Sequence, residues 1–218
     1  MARCSTTSRP LSPLCTASGA GGAGGTLVVA TTDSSDEASL NMAEALLRRT
    51  EWASLGSEGG GEIFRCVSAP STHLWLRDDS MLVQDNIDKQ FAAVVGTRPS
   101  DLLFISKHES KSGTPALTVH PIGNPGASDS RCGGVPKKCP PPSTRLGPLY
   151  RRLVSAAGAS EVADEFDVSL EATHHGPWVE TPALFAEIGS CEKYWGRRDA
   201  ADLWADVLYE ELRLETGG

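Results

Sequence analysis

Several common signatures are missing from this 218-residue chain, and each absence removes a class of protein. No apolar run approaches ~18 residues, so there is no candidate transmembrane helix. No Cys-x-x-Cys pair occurs among cysteines 4, 15, 66, 132, 139 and 191. Cys132 and Cys139 are too loosely spaced for a zinc knuckle, so the expectation is reduced thiols in an intracellular compartment. There is no His-Glu-x-x-His helix, Walker loop or dinucleotide fingerprint, which removes the common zincin, P-loop and Rossmann readings. No Gly-x-Ser-x-Gly elbow is present, which argues against a serine hydrolase. Histidine is scarce too: there are five, and four of them fall in short blocks next to Gly, Pro or carboxylates.

Net charge is -8 with a sequence pI near 5.1, which argues against general nucleic-acid binding. The charge is uneven. Residues 98–152 hold nine Lys or Arg against three Asp or Glu. Such a stretch can meet phosphates, or it can be an ordinary solvated loop. Residues 1–25 carry Arg3 and Arg9 and no acid, and end in a Gly-Ala run. They read as a disordered or transit-like tail. The domain proper is expected over 26–218, in the cytoplasm, or in an organelle if the tail is a transit peptide.

Residues 26–31 are continuously apolar, the mark of a buried strand. Asp33-Ser34-Ser35-Asp36 supplies capping side chains for a helix through Ala38, Met42, Ala45 and Leu46 to Arg48-Arg49. Further strands are expected at 63–67, 102–106, 116–120, 168–171 and 183–189. A hairpin is expected from 73–75 and 81–83 around Arg77-Asp78-Asp79-Ser80. Residues 125–145, with five prolines, form a long loop. Leu149, Leu153, Val154 and Ala157 mark a helix, and 199–214 is amphipathic through Leu203, Val207, Leu208 and Leu212. This alternation predicts a layered α/β domain with a mostly parallel or mixed sheet.

Histidines at strand ends are candidates for proton transfer or metal binding, because imidazole titrates near neutrality and offers a free nitrogen lone pair. Glu171-x-x-His174-His175 sets a carboxylate three residues before two imidazoles. Adjacent histidines on extended backbone point to opposite sides, so only one faces a site unless the Gly176-Pro177 turn re-aims the other. His120-Pro121-Ile122-Gly123-Asn124 ends a strand in a turn, and Asn124 either helps hold an oxyanion or caps its own backbone. His108 lies in Ser106-Lys107-His108-Glu109-Ser110. Glu187 is an acid inside an apolar strand, hence a site residue or a salt-bridged core residue. His73, before Leu74-Trp75, reads as structural.

Together with Asp36-Glu37-Ala38-Ser39, these blocks resemble the archaeal and plant type of D-aminoacyl-tRNA deacylase. They are Ser106-Lys107-His108, Leu117-Thr118-Val119-His120-Pro121-Ile122-Gly123-Asn124, Glu171-Ala172-Thr173-His174-His175-Gly176-Pro177 and Glu187-Ile188-Gly189-Ser190-x-Glu192-x-x-Trp195. The resemblance implies a zinc-dependent esterase that cleaves D-amino acids from tRNA. It also implies a three-layer α/β/α fold like that of phosphorylases and peptidyl-tRNA hydrolases. It assigns His108, His120, Asn124, Glu171, His174 and Glu187 to catalysis, and His120, His174, His175 and Glu171 to metal. The basic stretch then supplies tRNA contacts, Lys107, Lys111, Arg131, Lys137 and Lys138, with Arg145 beside them. Family members usually continue past the helix matching 199–215 into a Gly-Gly-Gly-His-Tyr-x-Pro block. The expectation is therefore an uncovered apolar face on that helix and little activity from these 218 residues alone. Other readings are a different zinc-dependent hydrolase, such as a peptidase, and a catalytically inactive tRNA- or protein-binding fragment. The histidines are expected to converge at one edge of the sheet.

Overall fold

The computed structural model describes residues 25–126 and 133–215. Eight strands form one sheet: β1 (Thr26–Thr31), β2 (Trp52–Ser57), β3 (Gly61–Cys66), β4 (Thr72–Arg77), β5 (Asp101–Glu109), β6 (Ala116–Pro121), β7 (Asp167–Leu170) and β8 (Ala183–Ser190). The spatial order is β2-β3-β4-β1-β5-β8-β6-β7. β4, β1, β5 and β8 are mutually parallel. β3 and β2 add antiparallel at one side, and β6 reverses against β8 with β7 parallel to β6. The three central strands β1, β5 and β8 are apolar because both faces of the sheet are covered there.

Helices α1 (Glu37–Arg49), α3 (Leu146–Gly158) and α5 (Arg198–Glu211) cover one face, with α5 packed between the other two. Asp36 caps α1, accepting from Ser39 N at 2.9 Å. On the opposite face lies α2 (Ile87–Val95), whose Phe91 packs on Trp75 of β4. Pairing register places Trp75, Val29, Phe104 and Phe185 in one row on that same face. This makes three layers, as expected, around a mixed sheet.

Three expectations need correction. Residues 73–75 lie inside β4, between β3 and β1, but 81–83 form a 3-10 turn, so there is no hairpin. The Gln84 side chain donates to the carbonyls of Asp79 and Ser80 and closes a helical turn there. The apolar face of α5 is not bare. Leu203, Val207, Leu208 and Leu212 are all buried, because α1 and α3 flank the helix on its own side of the sheet. Arg145 does not lie with the other basic candidates either. It pairs with Asp101 at 3.0 Å and Glu211 at 3.2 Å, at the start of β5. The 1–25 tail lies outside the described residues, apart from Gly25.

Candidate active site

Three adjacent strands build the site by period-two alternation. In register, Ser106 of β5 faces Glu187 of β8, which faces Thr118 of β6; His120 faces Phe185; and His108 faces Gly189. One face of the β5-β8-β6 triplet therefore carries Ser106, His108, Glu187, Thr118 and His120 together. The histidines do converge, but mid-sheet. β7 is the edge strand on this side, so the expectation of a site at the sheet edge is wrong. The reversal of β6 against β8 sets Thr118 opposite Glu187 at the middle of β8 and His120 opposite Phe185, two residues earlier.

The loop after β7 folds over this face. Ile122 bridges to His174, and Gly123 N donates to His175 O at 2.7 Å. His175 has φ +28° and Gly176 φ +100°. A side chain on Gly176 would start 2.8 Å from the Phe185 ring, so this turn needs glycine. The turn re-aims the second imidazole, and both rings join His120. Ring centroids lie 4.0 Å from His120 to His174, 4.9 Å from His120 to His175 and 4.4 Å from His174 to His175. Phe185 stacks on His120 at 5.2 Å and closes the floor.

Glu187 is the electrostatic centre. It is 1% exposed. It accepts from Thr118 Oγ1 at 2.9 Å and lies 3.3 Å from His108 Nδ1, 3.6 Å from His120 Nε2 and 4.0 Å from His175 Nε2. Burial alone would raise its pKa, but the close contact of His108 and the charge of His120 outweigh it and hold the carboxyl well below its usual range. The same contact raises His108. At His120 burial opposes the charge, yet Glu187 carries the net shift upward. His175, desolvated and beside three other histidines, is pushed down to about 4 and stays neutral. Glu171 sits at the rim, 3.7 Å from His108 and 4.0 Å from His174.

The donor set suits a metal ion. Ligand atoms of His120, His174 and His175 lie within 4.8 Å of one another, as do those of His108, Glu171 and Glu187. His120 Nδ1 faces the Pro121 carbonyl at 3.0 Å, and His174 Nδ1 faces the Ala172 carbonyl at 2.7 Å. A carbonyl only accepts, so each Nδ1 carries hydrogen and each Nε2 is left as the ligating lone pair. His120 Nε2, His175 Nδ1 and Glu171 Oε2 are buried without a hydrogen-bond partner. Leaving such atoms unmatched costs ~1–3 kcal/mol each, which a shared cation would offset.

A cavity of about 240 Å³ opens onto this cluster, bounded by His108, His174, His175, Glu187, Ser106 and the Met81-Leu82 turn, among others. Ser106 donates to Asp36 at 2.6 Å, so its partner is a carboxylate, not an imidazole. Burial raises Asp36 to about 6. Asn124 pairs its backbone with Lys138, beyond the His174 bridge. Among the proposed tRNA contacts, Lys138 lies over Trp178 at 5.1 Å and Lys107 over Trp195 at 4.2 Å. Lys137 precedes Lys138 with φ +60°, Lys111 lines a neighbouring cavity, and Arg131 is outside the described residues.

Sequence reading missed Thr118, whose place two residues before His120 already put it on the same face. Two indoles hold the strands: Trp195 stands in the last resembling block without a role, and Trp204 is not singled out there. Trp195 Nε1, on α4 (Glu192–Trp195), donates to His108 O at 2.8 Å, and Trp204 Nε1 donates to Glu187 O at 3.1 Å. No local motif foretells either contact.

A family model described as D-aminoacyl-tRNA deacylase matches residues 95–217. The D-aminoacyl-tRNA deacylase of Arabidopsis thaliana is 40% identical over 196 residues, covering 87% of this chain and 59% of its own length. That of Methanosarcina mazei is 35% identical over 185 residues, covering 79% and 58%. The chain thus spans about three fifths of the length of these relatives. The crystal structure of a conserved protein of unknown function superposes with a TM-score of 0.76 at 29% identity, covering 88% of this chain and 64% of that one. A 5′-methylthioadenosine/S-adenosyl homocysteine nucleosidase of Helicobacter pylori shares the fold alone, with a TM-score of 0.54 at 9% identity, covering 88% and 99%.

Proposed function

The chain belongs to the D-aminoacyl-tRNA deacylase family, and from that premise we propose that it hydrolyses the ester between a D-amino acid and the 3′ end of tRNA. The products are free D-amino acid and tRNA, a step in translational proofreading and D-amino-acid clearance. The observation that carries the reading is the convergence of His108, Glu171 and Glu187 beside the three-histidine cluster, with His108, His174, His175 and Glu187 lining one cavity.

We assign zinc to His120, His174 and His175, with Glu171 at the rim. When bound, zinc polarises a carbonyl and lowers the pKa of water. Glu187 holds His108 and His120 in one orientation and favours the protonated form of His108. His108 lines the cavity and delivers that proton to the leaving 3′ oxygen. Glu171, at the rim, takes a proton from the attacking water. A C–O bond forms from water to the acyl carbon and the ester C–O bond breaks, so the two protons balance. Asn124 is kept as a candidate donor to the oxyanion. Arg131, Lys137 and Lys138 are assigned to the tRNA backbone, and Lys107 and Lys111 to its 3′-terminal nucleotide. Among the described residues no helix is long and apolar enough to cross a membrane.

The test is deacylation of D-aminoacyl-tRNA with metal analysis alongside. Zinc should co-purify and be depleted by His120→Ala or His174→Ala. Full activity after exhaustive chelation would remove the metal from this account.

A further inference from the structure

The catalytic cavity continues beyond His108. Lys107 and Glu109 on its wall also line a second cavity of about 480 Å³, which shares Glu109, Glu192 and Trp195 with a third of about 650 Å³. The three make one groove running out along α4. Trp195 stands in it, half-buried. Its indole is fixed by the hydrogen bond to His108 O at 2.8 Å, with Lys107 Nζ 4.2 Å from the ring centroid. A held, partly open indole at the mouth of a catalytic cavity is a stacking surface for a flat ring.

The charges along the two outer cavities identify what lies there. Lys107, Lys111 and Lys193 are matched by Glu37, Glu109 and Glu192. A channel that tracks phosphates is basic throughout. A balanced lining suits an uncharged nucleoside, whose ribose hydroxyls and base amino group donate to carboxylates. Ester, ribose and base are consecutive parts of the terminal nucleotide of an aminoacyl-tRNA. His108 and Trp195 are hydrogen-bonded neighbours, so one nucleotide spans from one to the other.

We propose that this groove binds the terminal adenosine of the substrate, with its base stacked on Trp195 and its ribose turned toward His108. The proposal rests on the deacylase reading, yet it is tested without turnover. Free adenosine, uridine and inorganic phosphate are titrated into the full chain while the indole N–H resonances are followed; the Trp195 signal is assigned by its disappearance in Trp195→Phe. Adenosine should shift that signal, uridine less so, and phosphate not at all. Trp195→Ala should weaken adenosine binding about tenfold, while Trp195→Phe, which keeps a ring but not the bond to His108, should stay within about threefold of the parent. Glu192→Gln, away from the ring, should weaken adenosine binding without altering the melting temperature. An unmoved Trp195 signal overturns the proposal. So does phosphate competing with adenosine, or equal weakening in the Phe and Ala variants at unchanged melting temperature. Adenosine binding without any deacylation would sink the proposed activity and leave the groove standing; deacylation without adenosine binding would do the reverse.

Discussion

Replacing Glu187 by glutamine isolates the charge at the centre of the cluster. The amide keeps an oxygen for Thr118 Oγ1, 2.9 Å away. It removes the negative charge that faces His108 at 3.3 Å and His120 at 3.6 Å. Removing one partner of a buried ion pair costs ~3–5 kcal/mol. The imidazoles can shed their protons, which places the expected loss at the lower end, ~3 kcal/mol. For a domain of this size that is a fall of roughly 6–12 °C in melting temperature. The pH profile gives a sharper signature. Glu187 has a folded pKa below its ordinary 4.5, so its contribution is present above pH 4.5 and lost as pH falls further. His108 and His120 are raised above 6.5, so their contribution is present below pH 6.5 and lost as pH rises through their folded values. In chelator, the parent should therefore lose stability on both sides of pH 4.5–6.5 from this cluster, and Glu187→Gln should flatten both flanks. Thermal denaturation from pH 4 to 9 reads this directly. Single-turnover deacylation should drop ~10²–10⁴-fold as His108 loses its proton at neutral pH. An unchanged pH–stability curve together with a parental rate would refute the reasoning.

Gly189→Ala should displace His108, because the new methyl would lie 2.6 Å from both His108 Cβ and His108 O. Overpacking of this kind costs ~1–3 kcal/mol, so rate should fall with a modest drop in melting temperature, and normal kinetics would show that the strands relax freely. Asp36→Asn, assayed by denaturation against pH, should remove a destabilising slope. Asp36 is raised from 3.8 to about 6 by burial, so its ionisation weakens the fold as pH climbs through that window, and Asn cannot ionise. An identical slope in the variant would place the ionisation elsewhere. Charge reversal at both Lys137 and Lys138 should weaken tRNA binding and reduce its salt dependence, by roughly one unit of slope for each phosphate no longer neutralised. An unaltered slope would make that loop a bystander.

Much of the fold was legible because its central strands are buried on both faces and so read as apolar runs, as in 26–31 and 102–106. β2 was not legible. It lies at the edge of the sheet with most side chains exposed, so Trp52 to Ser57 shows no alternation. The 3-10 turn at Met81–Val83 mimicked a strand because three apolar residues in a row carry no period. At the site, residue types were legible and their spatial order was not. Glu171 through His175 and His120 are written at separate strand ends and Glu187 inside a third strand, and only the antiparallel return of β6 along β8 sets His120 beside Glu187. The His174-His175 pair illustrates the limit. Extended geometry sends one ring away, and the positive φ at His175 and Gly176 brings it back. The hydrogen bonds from Trp195 and Trp204 to strand carbonyls cross long stretches of sequence and leave no periodic trace.

The most direct measurement is the release of amino acid by this chain, loaded with zinc, from a matched pair of D- and L-aminoacyl-tRNAs of the same amino acid. With the α5 face buried and the histidines and carboxylates already converged, the account replaces the expectation of little activity and predicts rapid release of the D-amino acid, little release of the L form, and disappearance of the difference in His108→Ala. Equal hydrolysis of both, or none of either by a folded, zinc-loaded protein, would contradict it.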